Sequence, residues 1–270
     1  MINSNRLISA VRLPYKFSSG SINVKQRKAD AMVNKLYKTL VGRFDHGEMK
    51  ISELKNCINE VLPQKVRILV LDTDIEGADG FSDVLYSKNN KIYATTLEMP
   101  TENQAVKIKD IPTILHEFQH LSDQLFHPKI LARGQNLTSN NKMTSKYNEL
   151  YDSIYEIEDF EGKRDKQDIL KQIKYDILKF FKGMKNNDKI NYLQDMRYSL
   201  ITENNAYYTQ RKYAKKLKKK HFDINPHDLD KMNNSIMLNE KIDLIKKIAG
   251  SIIKEERSRL KTELKKQNKN

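Results

Sequence analysis

Between residues 66 and 98 the apolar residues stop recurring at helical spacing, and this break in period constrains the fold more than any other feature of the chain. "KVRILVLD" is β-branched and apolar throughout, as a buried strand is, and "GFSDVLYSKNNKIYATTLEM" reads as two strands around a Lys-Asn-Asn turn, a hairpin over about 81–98. Elsewhere the period is helical. Residues of about 24–44 place Ala31, Val33, Leu36, Leu40 and Val41 at helical spacing, and "ISELKNCINEVL" reads as a second helix opened by Ser52. After Pro112 the chain reads as helices over about 111–126, 143–158, 164–183, 188–220 and 226–264, with Asn-rich breaks at "GQNLTSNN" and "MKNNDK". The last of them starts at Asn225-Pro226 and carries Leu229, Met232, Ile236, Ile245, Ile248 and Ile252 as a stripe. The expected class is α+β and mostly helical. A small antiparallel or mixed sheet with an edge hairpin packs on the helix of 111–126, and a helical C-terminal half follows.

Composition narrows the chemistry. The chain has 270 residues, 38% hydrophobic and 31% charged, which suits one domain with a helical extension. The expected division is a flexible basic N-terminus over 1–22, a main domain over 23–220 and a basic amphipathic helix over 221–270. Cys57 is the single cysteine, so an intrachain disulfide and Cys-based zinc clusters are excluded, and any metal site must use His, Asp or Glu. No stretch nears the roughly 20 apolar residues of a membrane span, so a soluble protein of a reducing compartment such as the cytoplasm is expected. Residues 1–29 contain no Asp or Glu, a pattern shared by floppy basic termini and by export or organellar signals, which leaves export as an effector open. The net charge is +14, and residues 201–270 hold 18 Lys/Arg against 9 Asp/Glu. An acidic partner could dock there, whereas no RNA motif, zinc finger or phosphate loop supports nucleic-acid binding.

The segment "IPTILHEFQHLSDQ" carries the chemistry. Asp110 is a suitable N-cap, Pro112 fits the first turn and His127-Pro128 stops the helix, so His116-Glu117-Phe118-Gln119-His120 lies mid-helix. At about 100° per residue, Ile114, Phe118, Leu121 and Leu125 form the core-facing stripe. His116 and His120 lie roughly 40° apart on nearly the opposite side, with Glu117 beside them. A histidine that merely fills a core would sit on the apolar stripe. Two imidazoles at i and i+4 are about 6 Å apart along the axis and can reach one ion, while Glu117 is placed as a base near it rather than as a ligand.

A third ligand has to come from elsewhere. His127 is about 10 Å further along a straight helix, and Asp123 and Phe126 stand where an extended HExxHxxGxxH pattern needs glycine and histidine. Glu203, in "SLITENNAYYTQRKYAKK", shares the inner face of its helix with Met196, Leu200, Tyr207, Gln210 and Ala214. A carboxylate buried there needs a metal, a lysine or arginine partner, or a helix tilt that keeps it wet. Glu149, Glu156 and Glu158 lie in a more evenly polar segment.

A hairpin ("FSDVLYSKNNKIYATT"), an HExxH helix ("HEFQHLSDQ") and a later Glu-x-x-Ala helix ("ENNAYYTQ") together resemble a zincin-fold metallopeptidase of the gluzincin group, over roughly an eighth of the chain. The resemblance implies one Zn2+ held by His116, His120 and Glu203, with Ala206 permitting close helix packing. The thermolysin-type Asn-Glu-x-x-Ser-Asp form is absent, since Thr202 precedes Glu203 and Tyr207 and Tyr208 follow Ala206. Three protein ligands would leave one position for the attacking water, with Glu117 as its base. Tyr207 would either donate to the oxyanion or serve as an aromatic core residue, and Asp123 would either orient a ligand or cap a solvent-facing turn. The resemblance makes "FSDVLYS" an edge strand above the zinc that pairs with an extended protein or peptide substrate. The competing expectation is a non-catalytic helical scaffold with a basic C-terminal surface and a degenerate metal site.

Overall fold

The computed structural model describes residues 22–44, 47–63, 66–72, 81–86, 92–99, 101, 104–126, 141–155, 165–229 and 232–267. The expected Lys-Asn-Asn turn, the stop at His127-Pro128, the N-terminal segment and the candidates Glu156 and Glu158 lie outside the described residues. In chain order the elements are α1 (Ile22–Arg43), β1 (Glu48–Lys50), α2 (Ile51–Asn59), β2 (Arg67–Asp72), β3 (Phe81–Tyr86), β4 (Ile92–Met99), β5 (Ala105–Lys107), a 3-10 turn (Ile108–Asp110), α3 (Ile111–Phe126), α4 (Asn141–Tyr155), α5 (Lys166–Phe180), α6 (Asn186–Lys218), α7 (Pro226–Leu229) and α8 (Met232–Gln267). The class is α+β, mostly helical. Among the described residues, no helix is long and apolar enough to cross a membrane.

The chain divides into two compact units, one of residues 20–136 and 199–239 (the motif unit), the other of 1–19, 137–198 and 240–270 (the helical unit). The boundaries expected at 22 and 220 do not coincide with this division. Two of its junctions, at 198/199 and 239/240, fall inside α6 and α8 with no glycine or proline beside them, so the sequence carries no boundary signal there.

In the motif unit, β2 and β3 flank β4. β2 runs parallel to it (Arg67↔Ala94 to Asp72↔Met99) and β3 antiparallel (Val84↔Thr95), with a register shift at Leu85/Tyr86. The mixed sheet packs on α3 through β3 and β4. A second pair of strands was not legible in the sequence: β1 and β5 form a short antiparallel ladder, Met49↔Val106 at its centre. Strands of three residues are too short to show a period. This ladder also starts α2. The expected cap Ser52 lies inside the helix, Lys50 occupies the cap position without a side-chain bond, and the Ile51 N–H is satisfied instead by the Gln104 carbonyl at 3.0 Å. Asp110 turns back to accept the Lys107 N–H at 2.7 Å, closing the 3-10 turn that launches α3.

The core of this unit is built from α1, α2 and α3, with Leu36, Leu40, Leu54, Ile58, Ile111, Ile114, Leu115 and Phe118 nearly or fully removed from solvent. Tyr213 and Leu217 of α6 close it, the Tyr213 ring lying 4.5 Å from that of Tyr37. The expected stripe of Ile114, Phe118 and Leu121 faces this core, and Leu125 is partly buried against it.

The helical unit buries Tyr147, Leu150 and Ile154 of α4, Ile169, Ile173 and Ile177 of α5, Leu193 and Met196 of α6, and Ile245, Ile248 and Ile252 of α8. Asp165 caps α5, accepting the Gln167 N–H at 2.7 Å. Two polar groups are buried inside. Tyr147 donates to Asp195 at 2.5 Å, and the fully buried Lys241 donates to the Ile154 carbonyl. Of the single C-terminal helix expected over 226–264 the structure describes α7 and α8, and residues 230 and 231 between them lie outside the described residues. Asn225 caps only the one turn of α7, accepting the His227 N–H at 3.1 Å, and Ile236 of the expected stripe is exposed.

Candidate metal centre

Helix α3 is buried on almost every side, from Ile111 to Gln119 without a break. Its apolar face meets the core. The face bearing the histidines is covered by α6, whose small Ala206, fully buried, lies one turn from Glu203. His116 and His120 are 8% exposed and partly buried respectively, and both rings point at the Glu203 carboxylate. His116 Nε2 lies 3.4 Å from Glu203 Oε1, His120 Nε2 lies 3.2 Å from Glu203 Oε2, and the two Nε2 atoms are 3.2 Å apart. Among the described residues this is the one group of three or more His, Cys, Asp or Glu whose donor atoms converge in this way. Taking one ligand atom from each residue, all three lie within 4.8 Å of one another, close enough for the group to hold a metal ion.

The electrostatics follow from the crowding. Burial alone would raise the Glu203 carboxyl, but the two imidazoles opposite it reverse this and hold it well below its ordinary range. Burial likewise opposes a charge on His120. The Glu203 carboxylate, with smaller contributions from Glu117 and Asp123, overrides that and lifts the imidazole from 6.5 to about 9. One cation, a proton or a metal ion, is therefore strongly favoured among the three side chains.

Glu117 lies just outside the triangle, its Oε1 3.9 Å from His116 Nε2, and is 8% exposed. The Tyr207 ring stands edge-on to His116 with centroids 4.9 Å apart, so this tyrosine belongs to the centre's wall. Asp123 is 1% exposed and tied to Gln119 Nε2 at 2.9 Å and to Asn205 Nδ2 at 2.9 Å. The Thr209 hydroxyl donates to Gln119 Oε1 at 2.8 Å. Asp123 thus helps to clamp α3 onto α6 and does not cap a solvent-facing turn, because the face it occupies is covered by α6. Glu149, the weaker ligand candidate, is exposed in α4.

Two residues of the site escaped the sequence reading in their role. Gln210, placed on Glu203's face as an inner residue, meets His116 Nδ1 with its Oε1 at 3.0 Å. Its Nε2 donates to Asp228 Oδ1 at 2.8 Å. The signal for Gln210 was present, two turns from Glu203 on the same face; Asp228 lies beyond the end of α6 and had none. Asp228 also lines a cleft of about 410 Å³ together with Met99, Asp110, Thr113, Asp223 and Asn225. Comparison of the chain with protein families, with curated proteins and with solved structures found no match.

Proposed function

We propose that this chain is a zinc-dependent endopeptidase of zincin type, holding one Zn2+ through His116, His120 and Glu203. The observation that carries the reading is the convergence of three donors: the two imidazole nitrogens stand 3.2 Å apart and each lies 3.2–3.4 Å from one oxygen of the Glu203 carboxylate, with Glu117 beside them. A buried cluster of two imidazoles and a carboxylate, without a lysine or arginine in ion-pair contact with Glu203 among the described residues, is what a divalent ion would satisfy.

Bound there, zinc would supply a Lewis acid for a scissile carbonyl and lower the pKa of water towards about 7. Glu117 takes the proton of the water that attacks the carbonyl carbon. As the C–N bond breaks, Glu117 returns that proton to the departing amine, so the carboxylate is regenerated. The Tyr207 hydroxyl donates a hydrogen bond to the carbonyl oxygen as its charge grows. β3 is the terminal strand of its sheet and packs on α3, which suits an extended peptide adding to it by backbone pairing. The substrate class is therefore protein or peptide. Exposed Lys215, Lys218, Lys219 and Lys220 at the end of α6 favour acidic substrates.

The test is metal content together with one substitution. The full chain should take up one zinc and cleave a fluorescently labelled unfolded protein. Glu117→Gln should keep the zinc and lose at least ~100-fold in rate, the scale of general base catalysis. A chain that takes up no zinc, or a variant that cleaves as fast as the parent, would reject the proposal.

A further inference from the structure

His116 reaches the donor triangle through Nε2, and what holds its other nitrogen is decided two residues away. Asp228 is 2% exposed, and an ionised carboxylate can only accept hydrogen bonds. With Asp228 ionised, the end of the Gln210 amide that faces it at 2.8 Å is the NH2. Gln210 is 3% exposed, and its remaining end, an amide oxygen that can only accept, lies 3.0 Å from His116 Nδ1. It follows that Nδ1 carries the proton. In the neutral ring Nε2 is then a bare lone pair, facing His120 Nε2 at 3.2 Å and Glu203 Oε1 at 3.4 Å.

From this geometry we infer that Gln210 and Asp228 act as a tautomer lock on His116. They are positioning residues that keep its Nε2 free of a proton and so make the centre competent for a transition-metal ion; the metal half of this inference rests on the proposed function above. The lock is built from an unusual direction. A metal-bound histidine is commonly oriented by a carboxylate, a backbone carbonyl or a water on its second nitrogen. Here a neutral amide makes that contact, and the charge sits one residue further out on α7. An amide alone is ambiguous, since turned over it would offer its NH2 to Nδ1 and drive the ring proton onto Nε2, where it would compete with the metal. Asp228 removes that ambiguity. The carboxylate that decides the state of a residue on α3 therefore lies on a single helical turn outside both crossing helices.

The experiment uses the full chain with 15N-labelled histidine rings, freed of metal, followed by zinc titration against a chromogenic chelator. The wild type should show His116 as the Nδ1–H tautomer. Asp228→Asn, which is isosteric but lets the Gln210 amide turn over, and Gln210→Leu should each populate the other tautomer and bind zinc about 10- to 100-fold more weakly. Circular dichroism spectra should stay unchanged; if Gln210→Leu fails to fold, Asp228→Asn still reports. An Nε2–H tautomer in the wild type would overturn the lock whether or not zinc binds. Zinc affinity within about twofold of wild type in every folded variant would overturn it as well. A wild type that shows Nδ1–H and responds to Asp228→Asn but takes up no zinc would uphold the lock and reject the proposed function instead.

Discussion

Because the Glu203 carboxylate holds a proton on His120 up to about pH 9, zinc has to displace that proton, and its apparent affinity should depend steeply on pH. At pH 7 about 1% of His120 would be deprotonated in the metal-free protein and at pH 9 about half, so affinity should rise about 50-fold between pH 7 and 9. An unperturbed histidine at 6.5 would give almost no change over that interval. Glu203→Gln removes the charge responsible. Burial then pulls His120 down against only the smaller contributions of Glu117 and Asp123, and the slope between pH 7 and 9 should shrink sharply as the affinity itself falls with the weaker ligand. The same pairing affects the fold without metal. A histidine raised from 6.5 to about 9 contributes stability that is fully present below pH 6.5 and lost as pH rises through 9, of the order of 3 kcal/mol. The depressed Glu203 carboxyl describes the same pair from the acid side, present above its ordinary 4.5 and lost as pH falls. Calorimetric titration in buffers of different ionisation heat measures the protons released per zinc. The expectation is at least about one at pH 7. A wild-type affinity flat from pH 7 to 9, or release near zero, would refute the coupling of His120 to Glu203.

Replacing Ala206 with leucine inserts three carbons where no exposed surface remains between α6 and α3, and should cost about 1–3 kcal/mol, read as a lower melting midpoint with weakened zinc uptake. Tyr147→Phe in the helical unit removes the hydroxyl that Asp195 accepts, leaving a carboxyl that burial already raises. The expected loss is about 1–3 kcal/mol, larger at pH 7 than at pH 4, where protonation relieves the carboxyl; urea melts at the two pH values check it. If the exposed lysines of α6 attract acidic substrates, kcat/KM for an acidic peptide should fall with added salt much more than for a neutral one; equal salt responses would refute that.

The sequence revealed the centre through helical register, which needs no partner to be read. Placing His116 and His120 off the Ile114–Phe118 stripe, and Glu203 on its helix's inner face, required only the 3.6-residue repeat. What register could not reveal is that the histidine face would be as buried as the apolar one. That face is covered by Thr209, Gln210 and Glu203, residues about ninety positions away, and nothing local to α3 announces them. Asp123 could be placed near His120 but not assigned a partner, because Gln119 and Asn205 become its partners only through the helix crossing. β1 and β5, three residues each, were too short to carry a period, and the division between the two units falls within α6 and α8 away from any glycine or proline.

The separation of the donors along the chain has a consequence for biosynthesis. His120 precedes Glu203 by 83 residues and Asp228 by 108. At about 5–20 residues per second, a ribosome would need roughly 4–17 s to go from the second imidazole to the carboxylate that completes the triangle. During that interval the nascent chain holds two histidines and Glu117 but no third donor. A peptidase assembled in this order would stay inert while it is being made, and a truncated chain ending before α6 could not form the centre.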